Sequence, residues 1–237
     1  MRPRPLVLGH RGAPLAAEEN TLEAFRIALA MGADGVELDV RRTRDGNLVV
    51  HHDATAPGVG VLADRSLGEL RAARPEIPTL DESLSLLEGA MVNVEIKNFP
   101  QDPDFDASQR VVDDVVALLH ARSGRDRVIV SSFNLGTVDR VRALDGTIGT
   151  GFLTLLGFDP LDACTVAADR GHAALHPDVR SLPGPIAPAV VERAAALGLA
   201  VNTWTVDAAE EVVRLAAAGV DAIITNRPDV ARRALGR

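Results

Sequence analysis

Cysteine occurs once in this chain of 237 residues, at Cys164. That excludes an internal disulfide and fits a reducing compartment; the thiol itself reads as a small buried apolar group. No apolar run is long enough to span a bilayer, so no stable membrane insertion is expected. The opening residues Met1-Arg2-Pro3-Arg4-Pro5 lack the apolar stretch and small-residue cleavage site of a secretory signal, and a cytoplasmic location is expected. Positive charge is the scarcer sign. A net charge of −8 argues against a general nucleic-acid or anionic-membrane surface, so an anionic small substrate would need local cations, either side chains or a metal. Pro/Gly/Ser-rich linkers and low-complexity tracts are missing too, and residues 1–237 read as one domain.

What the chain does have is a regular alternation. Leu6-Val7-Leu8 opens it as a strand, and a helix starts near Asn20-Thr21 with Leu22, Phe25, Ala28 and Leu29 on one face. Gly32 ends that helix, and 35–40 is the second strand. Asp45-Gly46 then marks a hairpin turn that sends Leu48-Val49-Val50 back and delivers His51-His52. After a weaker stretch with a short helical piece around 67–73, helices at about 79–88, 107–121, 135–144, 160–169, 188–196 and 208–217 precede strands at 91–96, 128–131, 148–153, 173–176, 200–203 and 222–225. A final helix spans 228–234. Eight strands, each followed by a helix, predict an α/β fold: a (β/α)8 TIM barrel with a short hairpin and loop excursion after the second strand. The competing open doubly wound sheet is disfavoured because no glycine-rich nucleotide turn follows Leu6 to Leu8.

Barrel enzymes carry their catalytic groups at the C-terminal ends of the strands. Here those ends hold His10-Arg11-Gly12, Glu37 and Asp39, Glu95 and Lys97, Ser131-Ser132, His176, Trp204 and Thr225-Asn226. Polar loop starts explain the serines and Thr225. They do not explain two carboxylates at alternate positions of one apolar strand, which point to the same side and repel each other unless a proton or a cation neutralises them. Three carboxylates without thiolates form an oxygen-rich site suited to Mg2+ or Ca2+. Arg11 and Lys97 add fixed positive charge for an anion, and His10 and His52 add groups that titrate near neutrality. These parts together describe phosphoryl transfer.

The sequence resembles the glycerophosphodiester phosphodiesterase family over essentially its whole length. The resemblance is carried by His10-Arg11-Gly12, Glu19-Asn20-Thr21, Gly35 to Val40, Asp45-Gly46, His52-Asp53, Pro78 to Glu82, Val94 to Lys97, Ser131-Ser132-Phe133, Asn202 to Val206, and Gly219-Val220-Asp221 through Thr225 to Asp229. It implies a barrel and metal-dependent hydrolysis of a small glycerophosphodiester to an alcohol and sn-glycerol 3-phosphate. The matching positions imply that Glu37, Asp39 and Glu95 bind the divalent ion, that His10 and His52 are the acid–base pair, and that Arg11 and Lys97 hold the phosphate. In the mechanism this implies, the glycerol 2-hydroxyl attacks phosphorus, and the resulting cyclic phosphodiester is then opened by water.

Two segments depart from the family pattern. Residues 54–76 are short where a larger inserted cap is common, and Asn98-Phe99-Pro100 follows Lys97 in place of Lys-Pro. Of the remaining candidates, Trp204 is expected to form an apolar wall against glycerol. Asn20 is expected to cap the first helix and touch substrate. Asp53 is assigned to orienting a loop or a neighbouring group, and His176 stands between a pocket role and a loop role. His51 faces away from His52 and is expected to be structural, while His120 and His172 are expected at the surface without chemical neighbours. Two other readings compete. A non-catalytic glycerophosphate-binding barrel would have lost a histidine or a carboxylate, and none is lost. A lysophospholipase D-like hydrolase of lipid phosphodiesters would need exposed apolar loops, whereas the loops read as mostly polar or small.

Overall fold

The computed structural model describes residues 4–237, apart from the side chain of Arg125; the expectation about Met1-Arg2-Pro3 lies outside the described residues. In chain order the elements begin with β1 (Leu6–His10), α1 (Leu22–Ala30), β2 (Gly35–Arg42) and β3 (Leu48–Val50). There follow β4 (Thr55–Ala56), β5 (Gly60–Val61), α2 (Leu67–Ala73), α3 (Leu80–Leu86), β6 (Met91–Ile96) and α4 (Arg110–His120). The second half runs β7 (Val128–Ser132), α5 (Leu135–Leu144), β8 (Gly149–Thr154), α6 (Pro160–Asp169), β9 (Ala174–Pro177) and α7 (Ile186–Ala196). It closes with β10 (Ala200–Thr203), α8 (Ala209–Ala218), β11 (Ala222–Thr225) and α9 (Pro228–Ala234). Strands β1, β2 and β6 to β11 pair in parallel, each with the next, and β1 joins both β2 and β11. The sheet therefore closes into the expected (β/α)8 barrel.

The alternation within each strand decides what faces the helices. On β2, Val36, Leu38 and Val40 pack outward with Phe25 and Ala28 of α1 and with Val112 and Val115 of α4. Their neighbours Glu37, Asp39 and Arg41 must then point the other way, into the barrel. On β6, Val92, Val94 and Ile96 face outward in the same cluster, leaving Asn93 and Glu95 inward. Fully burying each such aliphatic side chain contributes about 1.5–3 kcal/mol. The outward set thus fixes the register, and the inward set is positioned by it. A second cluster, with Leu175, Val190, Val201, Leu215 and Ile223, does the same for β9 to β11 under α7 and α8.

The excursion after β2 matches its reading. β2 and β3 pair antiparallel around the Asp45-Gly46 turn, with Arg42 opposite Leu48 and Gly46 in the left-handed region at φ 86°. Val49 of β3 closes a small separate core with Ala56, Val59, Leu62, Leu70 and Ile77 from the segment that follows. The His51 N–H donates to the Asp39 carbonyl at 3.0 Å, which returns the chain to the mouth of the barrel.

Some local expectations need correcting. The α1 cap is Thr21, whose hydroxyl accepts from the Ala24 N–H, and not Asn20. Helix α4 starts at Arg110, three residues later than periodicity suggests, because Asp106 and Asn98 tie the preceding loop through Asp106 N, Ser108 N and Arg110 N. His172 is buried, not at the surface: Nδ1 lies 2.9 Å from the Thr150 hydroxyl and Nε2 3.3 Å from Asp139. His120 is exposed as expected but has a partner, Asp145, at 2.6 Å. His176 is fully buried inside the barrel, where its Nε2 accepts from Asn202 at 2.9 Å and Gly151 leaves room for the ring. Burial pushes its pKa down to about 3, so it is a neutral core group.

Gly35 on β2 stands opposite Met91 of β6, and a Cβ there would lie 1.8 Å from the Met91 carbonyl oxygen. Gly35→Ala is therefore expected to destabilise the protein by about 1–3 kcal/mol or more through overpacking. Urea unfolding measures this, and a midpoint equal to wild type would contradict it.

Candidate active site

At the C-terminal ends of β1, β2 and β6, the sheet register places acids side by side. Asp39 pairs with Glu95, Glu37 with Asn93, and His10 with Glu37. Glu37 and Asp39 are buried and Glu95 nearly so, and one oxygen from each lies within 4.8 Å of the others. Two basic groups offset part of this charge. Lys97 Nζ stands 2.7 Å from Glu95 and 3.4 Å from Asp39, and Arg11 Nε stands 3.3 Å from Asp39.

The backbone of Arg11 is itself unusual, left-handed at φ 55°. It is held there by its N–H donating to Glu37 at 3.0 Å and its carbonyl accepting from Asn20 at 3.0 Å. Gly12 must be glycine, because at φ 89° a Cβ would also press within 2.7 Å of the Ala24 backbone.

The charges are unevenly shared. Burial, reinforced by Asp39 and Glu95, raises the pKa of Glu37 well above the usual carboxylate range. Burial also works against ionised Asp39, but Lys97 and Arg11 outweigh it and hold that carboxyl well below the ordinary value. Glu95 is raised by burial against the pull of Lys97. Lys97 moves up despite its burial because Glu95 and Asp39 face it. Glu37 Oε1 accepts no hydrogen bond among the described residues although it is buried, and Asp39 Oδ1 has only the ion pair with Lys97 at 3.4 Å. A buried acceptor without a donor, within three clustered carboxylates, fits a hard divalent cation better than it fits a protein interior left to itself.

The two histidines are each held by Nδ1. His10 Nδ1 lies 2.8 Å from Asn226 Oδ1, while Asn226 Nδ2 donates to Asp207 at 2.8 Å. A carboxylate accepts only, so the amide nitrogen must face Asp207 and its oxygen must face His10. His10 Nδ1 therefore carries the proton. Its Nε2 is left free, 4.0 Å from Glu37. His52 Nδ1 donates in the same way to Asp53 at 2.7 Å, the orienting role expected for Asp53. Burial lowers the pKa of both rings; for His10, Arg11 adds to the effect, and for His52, Asp39 opposes it.

A cavity of about 230 Å³ unites these groups: His10, Arg11, Glu37, His52, Glu95 and Lys97 line it, with Trp204 and Phe133 as walls. The two rings meet edge to face, with centroids 5.4 Å apart. Asn20 is placed differently from its expectation. It is buried, with Nδ2 donating to Asp39 at 2.8 Å and Oδ1 accepting from Asp39 N at 3.2 Å, so it steadies a carboxylate and does not line this cavity.

These elements agree with the comparisons to known proteins. The profile of the glycerophosphoryl diester phosphodiesterase family matches residues 10–230. The chain belongs to that family. A glycerophosphodiester phosphodiesterase of Caldanaerobacter subterraneus is 32% identical, over 95% of this chain and 96% of the relative. One of Bacillus altitudinis is 30% identical, over 94% and 95%. The solved structure of the glycerophosphodiester phosphodiesterase from Thermotoga maritima superposes with a TM-score of 0.81 at 27% identity, covering 100% of both chains.

Sequence reasoning missed several members of the site. Asn226 entered only as part of a strand end and of the motif Thr225 to Asp229, Asn93 only as a residue of a strand, and Asp207 not at all. Each is an ordinary polar residue whose meaning comes from what the closed barrel sets beside it. The loops at the mouth also differ from their expectation. Leu155, Leu156 and Phe158 on the β8–α6 loop and Phe99 after β6 are all exposed, where polar or small residues were expected. No helix among the described residues is long and apolar enough to cross a membrane.

A raised carboxyl pKa means that the folded protein loses stability as pH climbs above the unfolded value, about 4.3 for glutamate, towards the raised folded one. Glu37→Gln removes that penalty while keeping the acceptor for Arg11 N. At pH 8 in EDTA it is therefore expected to stabilise the protein by about 1 kcal/mol or more. Chemical unfolding at pH 5 and pH 8 measures this, and a variant less stable than wild type at pH 8 would contradict it.

Proposed function

We propose that the protein hydrolyses sn-glycerol 3-phosphodiesters to an alcohol and sn-glycerol 3-phosphate. The observation that carries this reading is one cavity lined by Glu37, Glu95, two cationic side chains and two oriented imidazoles, with Asp39 completing the carboxylate cluster behind it, in a chain of this family. Glu37, Asp39 and Glu95 would hold a divalent ion, Mg2+ or Ca2+. When bound, such an ion neutralises charge on phosphoryl oxygens and makes a nearby hydroxyl more acidic.

The chain's own groups supply the rest. Arg11 and Lys97 bind the phosphoryl oxygens as fixed cations, Arg11 through its planar fork. With Nδ1 engaged by Asn226 and by Asp53, His10 and His52 both present Nε2 to the reacting centre. One imidazole takes the proton of the attacking glycerol 2-hydroxyl while the other protonates the departing alcohol oxygen. Water then opens the cyclic phosphodiester with the two roles exchanged. Trp204, braced by Phe133, presents an apolar face to the glycerol carbons. Asn20 acts through Asp39.

Release of glycerol 3-phosphate from glycerophosphocholine tests this directly. His10→Ala and His52→Ala are each expected to lower kcat by about a hundredfold or more, and EDTA to suppress turnover until a divalent ion is restored. Near-wild-type turnover in both variants would remove the imidazoles from the mechanism, and no release by the wild type with Mg2+ or Ca2+ would overturn the activity.

A further inference from the structure

A second cavity, of about 330 Å³, adjoins the first and shares His52, Glu95, Lys97, Phe133 and Leu155 with it. Its chemistry is different. The first cavity gathers His10, Arg11, Glu37 and Asn93, groups that suit phosphate and vicinal hydroxyls. The annex lacks these four; Ala54, Phe99 and Pro103 join Phe133 and Leu155 as its apolar lining, beside the polar Thr55, Asn98 and Ser132. The apolar surface runs on outward from Leu155, through Leu156 and Phe158 on the same turn, both more than half exposed.

The charged groups bordering the annex are already committed. Arg41 is buried, with Nε donating to the His52 carbonyl at 2.9 Å, Nη1 to both Asp104 oxygens at 2.6 and 2.8 Å, and Nη2 to Asp102 at 3.0 Å. Lys97, beside Glu95 and Asp39, is the cation assigned above to the phosphoryl oxygens and is not left for the alcohol. The other carboxylates of its border are Asp102, which accepts from Arg41, and the exposed Asp53, which accepts from His52, so the border carries acids and no unpaired cation. An alcohol with an anionic group would meet carboxylates and no uncommitted cation. A polyol could pair only with Asp53, Asp102 and the Thr55 hydroxyl, and would lose its remaining hydration against carbon. A methylated, uncharged or cationic surface loses neither, and aromatic faces attract a quaternary ammonium.

We infer that this annex receives the departing alcohol and selects alcohols with methyl-rich surface, choline among them, over polyols and over alcohols bearing an anion. The inference rests on the phosphodiesterase reading above. It also gives a role to Phe99, which the chain carries where the family pattern runs from lysine to proline: Phe99 is a specificity-determining side chain of the annex.

The test compares kcat/KM for glycerophosphocholine, glycerophosphoglycerol and glycerophosphoserine, with glycerol 3-phosphate as the common product. The choline diester is expected to exceed each of the other two by about tenfold. Phe99→Asn is expected to cut that preference by about threefold or more, and Phe99→Leu to retain it. Comparable kcat/KM for the choline and glycerol diesters, or a preference that Phe99→Asn leaves at the wild-type ratio, would overturn the inference while the phosphodiesterase reading stands. No glycerol 3-phosphate from any of the three would overturn that reading and the inference together.

Discussion

Three carboxylates held within 4.8 Å of one another, in an interior that disfavours charge, are the constraint on which the other features of this barrel depend. In water, side chains carrying such charges would separate. Here backbone pairing forbids it, because Asp39 and Glu95 are register partners and Glu37 lies one pleat away on the same face. The protein compensates in part with Lys97 and Arg11, and it spends unusual backbone on doing so, since Arg11 adopts a conformation that non-glycine residues rarely take. The compensation is incomplete. Burial raises the pKa of Glu37 well above the ordinary carboxylate range, and its Oε1 remains without a partner. A structure that maximised stability alone would have placed apolar residues there, so the cluster reads as a site maintained against the fold's preference.

Tension of this kind needs a rigid frame. The aliphatic residues that alternate with the acids supply it: Val36, Leu38 and Val40 on β2, and Val92, Val94 and Ile96 on β6, all seated under α1, α3 and α4. One run of sequence thus writes two faces at once, an outward one that sets the register and an inward one that the register aims. The hairpin after β2 extends the same logic. It brings His52 back over the strand that carries Asp39, and Arg41 of that strand fastens the His52 carbonyl to the loop after β6.

Much of this was legible in the sequence because it is periodic. The eight-fold alternation, the Asp45-Gly46 turn and the pairs Glu37/Asp39 and Glu95/Lys97 follow from local spacing, and the strands fell within a residue or two of their observed ends. What stayed illegible depends on closure. Asn226 and Asp207 matter only because β11 lies beside β1, which brings residue 226 against His10 across most of the chain's length. Asn20 looked like a cap because Asn-Thr before an apolar face commonly is one; Thr21 caps, and the side chain of Asn20 was free to reach Asp39. His172 and the loop apolar residues failed for the opposite reason, since burial of a single polar group, or exposure of a Leu or Phe in a loop, leaves no periodic trace.

Anomalous diffraction from crystals soaked in Ca2+ tests the central claim most directly. The account predicts one ion bound by an oxygen from each of Glu37, Asp39 and Glu95, at about 2.3–2.6 Å. Calcium bound elsewhere with this cluster left vacant, or bound without one of these three side chains, would contradict it.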